Sequence, residues 1–174
     1  HQALNALAVL GLSVELGLDE KVVREAFKTF KGVKRRLEKK GTQKGITVYD
    51  DYAHHPTEIA GTLKALKKGM QGKRLLAIFE PHRYSRTRDC MEEFALAFSD
   101  ADICIITDVF SAGEAPIQGI TGEALCKSIE TKSYFFNRKQ LLDSLQKILQ
   151  AGDVVVTMGA GDITHFVPQI INNL

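Results

Sequence analysis

Hydrophobic positions follow two rhythms along this chain, and the change between them falls in the basic stretch Val33-Lys34-Arg35-Arg36. Before it, Leu4, Leu7, Ala8 and Leu12 recur at helical spacing, so residues 1–16 read as one helix with Gly17 just past its end. Asp19 stands where a second helix needs a cap. The apolar face of that helix is Val22, Val23, Ala26, Phe27 and Phe30, and Gly32 closes it. After the basic stretch, short apolar runs alternate with helical segments. Leu37 to Gln43 and Ile46 to Asp51 pair as a hairpin turning near Lys44-Gly45. Pro56 fits the first turn of a helix, where its missing N–H costs nothing; Ile59, Leu63 and Leu66 line one face, and the helix fades at Gly69. Lys73 to Phe79 is a continuous apolar run, as expected of a strand covered on both faces. Met91, Phe94, Ala95 and Phe98 mark the next helix, and 102–107 is a strand. A helix over 121–130, a short strand over 133–136 and a helix over 138–150 follow; 153–158 is a strand and 162–174 the closing helix.

Strands joined by helical crossovers predict an α/β domain: a Rossmann-like, mainly parallel sheet with helices on both faces and an antiparallel hairpin at its start, preceded by two helices. The domain boundary is placed near residues 33–38, which divides the chain into 1–36 and 37–174. The chain starts at His1, inside an amphipathic run with nothing ahead to cap it, and is expected to be a piece of a longer protein.

Composition narrows the class. A chain of 174 residues with 44% hydrophobic and 25% charged residues is built like an ordinary globular protein. A net charge of +2 argues for neither nucleic acid nor an anionic membrane as partner. No apolar stretch approaches the roughly 18 residues of a membrane span, and no secretion signal opens the chain. Cys90, Cys104 and Cys126 have no metal-type spacing and read as free thiols in a reducing compartment, the cytoplasm.

The chemistry lies in the connections. Four polar loops, 50–56, 80–87, 108–122 and 159–162, follow the first, second, third and fifth strands after the hairpin's first arm. In an open parallel sheet they share the edge where ligands bind. The third is longer than most connections in compact domains, which favours a binding role. Arg83 and Arg86, with His82, make a cationic cluster at a helix start. They suit a carboxylate or phosphate, and the bland alternative is a solvated loop. Asp50, Asp51, His54 and His55 suggest metal ligands, a turn cap, or hydrogen bonding to a ribose or polar substrate; adjacent strand-end residues point to opposite sides, which weighs against a metal. Gly159-Ala160-Gly161-Asp162 lacks the third glycine of a dinucleotide fingerprint, since position 164 is Thr. It reads equally as a tight turn with Asp162 as N-cap. No phosphate-cradling GxxxxGK[ST] and no Ser-His-Asp arrangement is present, and His165 reads as structural.

These loops, together and in order, resemble the C-terminal domain of the Mur ligases of bacterial cell-wall synthesis. The resemblance covers nearly the whole chain: His1-Gln2-Ala3-Leu4-Asn5-Ala6 is similar to the element closing the family's central ATPase domain, Val33 to Glu38 to its linker, and Asp50 to Glu58 to its D-D-Y-x-H-H-P-T-E motif. Pro81 to Thr87, followed by Ala112-Gly113-Glu114-Ala115-Pro116-Ile117, points to the member that takes L-alanine. The resemblance implies an ATP-dependent ligase that joins L-alanine to UDP-N-acetylmuramate through an acyl phosphate. It implies that Arg83 and Arg86 bind the alanine carboxylate, with Tyr52 and His54 shaping the pocket. It further implies that Asp51 and Arg36 reach the ATP ribose and phosphates, and that His1 and Asn5 face the adenine. ATP and Mg²⁺ would be held mainly by a central domain outside this chain, so no catalytic residue and no metal ligand is expected here, and the piece alone is expected to be inactive. The rivals are a murein-peptide ligase or another Mur ligase and, outside the enzymes, a stand-alone nucleotide- or anion-binding module.

Overall fold

The computed structural model describes residues 2–70 and 72–174, and the chain divides into two compact units, His1–Val33 and Lys34–Leu174. The first unit contains helices α1 (Gln2–Glu15) and α2 (Glu20–Thr29). Gly17 takes φ +65° after α1, and the Asp19 carboxylate accepts the Lys21 and Val22 N–H groups at the start of α2, both as the sequence predicts. The predicted apolar face of α2 is present but uncovered: no residue of the helix is buried, and Leu4, Leu7, Leu12, Val14, Val22 and Phe30 are exposed.

In the second unit, six strands among the described residues form one sheet in the order β1-β2-β6-β3-β4-β5. They are β1 (Glu38–Gln43), β2 (Ile46–Asp51), β3 (Leu75–Phe79), β4 (Ile103–Ile106), β5 (Ser133–Phe135) and β6 (Val154–Met158). Only the β1–β2 pairing is antiparallel. Lys44 and Gly45, at φ +47° and +80°, make the two-residue hairpin turn whose twist matches the strands. Alternate strand residues serve two cores. Leu75, Ala77, Phe79, Val154 and Val156 face helices α3 (Pro56–Gly69), α5 (Met91–Ala97) and α6 (Gly122–Ser128) through Ile59, Leu63, Phe94, Phe98 and Leu125. On the other face, Leu76, Ile78, Ile105 and Val155 meet Leu141 and Leu145 of α7 (Arg138–Ile148) and Val167 and Ile170 of α8 (Val167–Asn173). The chain therefore leaves β2 and β3 towards one face and β6, which lies between them, towards the other. That is the switch point where parallel sheets open a crevice at their C-terminal edge.

Two elements differ from expectation. The segment predicted as loop up to Thr87 turns helical at Tyr84, giving α4 (Tyr84–Asp89) before α5. The closing helix begins as a 3₁₀ turn, Ile163–Phe166, because Pro168 near the start of α8 has no N–H to extend the ladder backwards. Among the described residues, no helix is long and apolar enough to cross a membrane.

Two glycines of opposite situation test this packing. A Cβ on Gly122 would stand 1.9 Å from the Thr107 carbonyl oxygen, whereas one on Gly61, exposed in the middle of α3, would meet nothing within 4 Å. Gly122→Ala should lower stability by about 1–3 kcal/mol. Gly61→Ala should raise it by roughly 0.5–1 kcal/mol, both read from urea midpoints.

Candidate functional site

Parallel register brings the ends of β2, β6, β3 and β4 to one rim, so the four polar loops lie side by side. Each loop is held by carboxylates. Glu58, in the first turn of α3, accepts the backbone N–H of His54 at 3.0 Å and of His55 at 3.2 Å, which fixes the turn after β2. These N–H groups and His54 hold the Glu58 carboxyl below its usual range, although burial pushes the other way. Within that turn His54 Nδ1 lies 2.9 Å from the Tyr52 carbonyl oxygen, and the two rings meet edge to face at 5.2 Å.

The turn after β3 is more constrained. Arg83 adopts φ +74° and ψ 136°, a strained conformation for a residue with a side chain. It is kept there by the long loop after β4: Arg83 N–H donates to the Phe110 carbonyl and Phe110 N–H to the Pro81 carbonyl, each at 2.8 Å. Glu114 of that loop accepts both Ser85 N–H at 2.9 Å and Ser85 Oγ at 2.6 Å, capping α4 from outside its own segment. These contacts explain why the helix starts at Tyr84. The His82 ring stacks on Phe110 at 5.5 Å and 12° and lies 6.0 Å from the His54 ring. Arg86 Nη1 lies 3.2 Å from His82 Nδ1. Burial, and then Arg86, His54 and Arg83, hold His82 below the usual imidazole value. The structure thus brings Tyr52, His54 and Arg86 together through His82, with Arg83 exposed at the start of α4 beside them.

The linker supplies another wall. Arg35, absent from the sequence-based candidates, lies with its Cζ 4.9 Å from the Tyr52 ring centre, donates Nη2 to the Gly159 carbonyl and reaches Asp50 at 3.6 Å. Arg36, a candidate, is exposed with its Cζ 5.6 Å from the same ring. Asp50 is completely buried and accepts Thr157 Oγ1 at 2.7 Å and Thr164 Oγ1 at 2.6 Å, so its role is architectural. Asp51, expected to reach a ribose, is turned inward. One oxygen accepts Leu37 N–H at 2.6 Å and the other Ala53 N–H at 2.7 Å, and burial pushes its carboxyl up. In this conformation it staples the linker to the loop after β2. Asn5 is exposed on α1, and the expectation for His1 lies outside the described residues. His165, read as structural, is exposed.

Sequence reasoning also missed a group at the switch point. Glu80, wholly buried at the end of β3, meets Arg138 at the start of α7, and the same guanidinium forks onto Asp162. Asp162 stands at the head of the 3₁₀ turn, but its carboxylate goes to Arg138 and caps no N–H there. Ile163 N–H donates to Glu80 at 3.2 Å. Gly161 is needed beside it, since a Cβ there would stand 2.3 Å from Glu80 Oε1 and 2.6 Å from the Phe110 ring. Burial, together with the neighbouring Asp162, pushes the Glu80 carboxyl up to about 7 against the pull of Arg138. Among the described residues, no three His, Cys, Asp or Glu side chains converge to hold a metal ion.

With the fold and site in view, the comparisons define the class: residues 35–161 match the family described as Mur ligase, glutamate ligase domain, and the chain belongs to the Mur ligase family. Within it, the chain is 45% identical to a UDP-N-acetylmuramate–L-alanine ligase of Geobacter sp. (strain M21), over 94% of this chain and 36% of that protein. Its fold matches the crystal structure of a UDP-N-acetylmuramate–alanine ligase from Thermotoga maritima with a TM-score of 0.79 and 31% identity, over 99% of this chain and 37% of that one. A murein peptide ligase from Psychrobacter arcticus is similar at 25% identity and a TM-score of 0.68, over 97% of this chain and 36% of that one. The chain thus spans little more than a third of the length of these relatives.

The buried Glu80 carries a pH signature. Its folded value of about 7 lies above the ordinary 4.5, so the folded state holds the proton more tightly. Its contribution to stability is complete below about 4.5 and drains as pH rises through about 7. The difference in urea stability between wild type and Glu80→Gln should therefore fall across that interval, and the Glu80 carboxyl carbon should titrate in NMR with a midpoint near 7.

Proposed function

We propose that this chain is the C-terminal part of an ATP-dependent ligase that joins L-alanine to UDP-N-acetylmuramate in peptidoglycan synthesis, and that its rim holds the amino acid. The observation that carries this reading is the assembly of two arginines, three residues apart at a helix start, against the Tyr52–His54 turn of the neighbouring loop. A free α-amino acid is a small zwitterion. Guanidinium groups bind its carboxylate with charge-assisted hydrogen bonds, and the aromatic and imidazole groups close around a short side chain. The relatives at 45% and 31% identity support L-alanine as that amino acid.

The ligase reaction activates the muramate carboxylate as an acyl phosphate; the alanine amine attacks it and phosphate leaves. This chain's part is to hold the amine's parent molecule in a fixed orientation, which lowers the barrier by positioning. Arg36, exposed beside Tyr52, is the linker group offered to nucleotide phosphates, and Asp51 fixes the loop on which that offer depends. The sequence has no GxxxxGK[ST] loop, and in this reading ATP and Mg²⁺ are held mainly by the central domain, so no step through Mg²⁺ is assigned to this chain. Residues 1–36 belong, in this reading, to the ATP-binding central domain. Their uncovered apolar helices would be buried by the rest of it, with Asn5 turned towards the nucleotide. ATP and a UDP-linked sugar acid are cytoplasmic substrates, which supports a cytoplasmic location in this reading.

The test is substrate dependence. The full-length protein should release phosphate from ATP when given UDP-N-acetylmuramate and L-alanine; release only with a murein tripeptide would assign it to the sister ligase. In the same assay Arg83→Ala should raise the KM for L-alanine by roughly 10- to 100-fold, from a lost charged hydrogen bond of about 1.5–3 kcal/mol, while the KM for the UDP-sugar stays close to wild type.

A further inference from the structure

We propose that His82 is the positioning residue of the carboxylate clamp: held neutral, with its lone pair on Nδ1, it aims Arg86. The proposal rests on the substrate reading above only for the identity of the ligand. Its own basis is a set of contacts. A guanidinium only donates, so the 3.2 Å approach of Arg86 Nη1 requires His82 Nδ1 to accept and puts the ring proton on Nε2. His54 is the reverse case: its Nδ1 faces the Tyr52 carbonyl at 2.9 Å, which only accepts, so His54 donates from Nδ1. Two imidazoles 6.0 Å apart thus use Nδ1 in opposite ways, His82 accepting and His54 donating.

Several neighbours keep His82 in this state. The stack on Phe110 fixes the ring plane, and the strained Arg83 backbone turns the chain immediately after it. The charged and titratable groups facing the ring are Arg83 and Arg86 from α4 and its cap, His54 from the turn after β2, and Glu114 from the loop after β4. Three of the four oppose protonation and only Glu114 favours it. A proton on Nδ1 would remove the acceptor and set a cation against Arg86. Arg86 would then keep only the His82 carbonyl, at a stretched 3.4 Å. Grip on the carboxylate should be complete above the ordinary imidazole value of 6.5 and weaken as pH falls through the lower value of His82.

Histidine ¹⁵N NMR on the chain tests the tautomer directly. The expected result is an unprotonated Nδ1 and a protonated Nε2 for His82 at neutral pH, with a titration midpoint below 6.5. A Nδ1-protonated ring, or a midpoint at or above that value, would overturn the proposal. In the full-length ligase, His82→Phe keeps the stack without the acceptor. It should raise the KM for L-alanine about tenfold or more with kcat changed little, and His82→Asn, which restores an acceptor, should recover most of the loss. The rise in alanine KM at acid pH should vanish in His82→Asn. An unchanged KM in a folded His82→Phe, or no recovery in His82→Asn, would refute the aiming role. Should the phenylalanine variant fail to fold, the tautomer and midpoint of the unsubstituted protein still decide. If the ligase shows no dependence on L-alanine, the substrate reading fails, and the NMR result stands or falls separately.

Discussion

Asp50, Asp51 and Glu80 stand at the ends of two parallel strands that flank β6, with their side chains inside the protein, 0%, 5% and 0% exposed. A buried carboxylate is costly unless it is paired or hydrogen-bonded. Here each meets that requirement with a group from a different loop. Asp50 takes two threonine hydroxyls from β6 and the turn after it, Asp51 takes main-chain N–H groups from the linker and its own turn, and Glu80 takes Arg138 from α7 and Ile163 from the 3₁₀ turn. The loops are therefore tied to one another beneath the rim. The aromatic and cationic side chains above are carried on a base that hydrogen bonding has made rigid.

The two-faced sheet makes that arrangement possible. Because β6 runs between β2 and β3 and sends its chain to the opposite face, the turn containing Gly159 and Gly161 passes close over the end of β3. Only residues without a Cβ permit this approach, and the space left is filled by the Phe110 ring on which His82 stacks. Site geometry thus depends on a packing decision made in the sheet and on two small residues in the loop after β6.

Much of this was legible in the sequence where the signal is local. The Lys44-Gly45 turn, the Asp19 cap, the continuous apolar runs of β3 and β6 and the gathering of polar loops on one edge all follow from periodicity and turn chemistry. What escaped was set by distant partners. The start of α4 depends on Glu114, 29 residues away, and the Glu80–Arg138 pair spans 58. No spacing rule pairs such residues. The choice between Arg35 and Arg36 could not be made from two adjacent identical side chains, and the structure gives them different roles: Arg35 is drawn under the rim by Asp50 and Gly159, and Arg36 is left on the surface. Asp51 resembled a ligand because acidic strand ends often hold sugars, yet the nearby Leu37 and Ala53 N–H groups satisfy it first.

Arg35 also joins two things that the sequence keeps separate. Its carbonyl accepts the Tyr52 N–H at 2.7 Å, its guanidinium covers the Tyr52 ring, and the same group is moored to Asp50 and Gly159. Arg35 thereby ties the start of this unit to the end of β2, to Tyr52 in the turn after it and to Gly159 after β6. The incoming segment and two of the rim's loops are thus fastened at a single side chain, so a change at residue 35 would loosen all of them together.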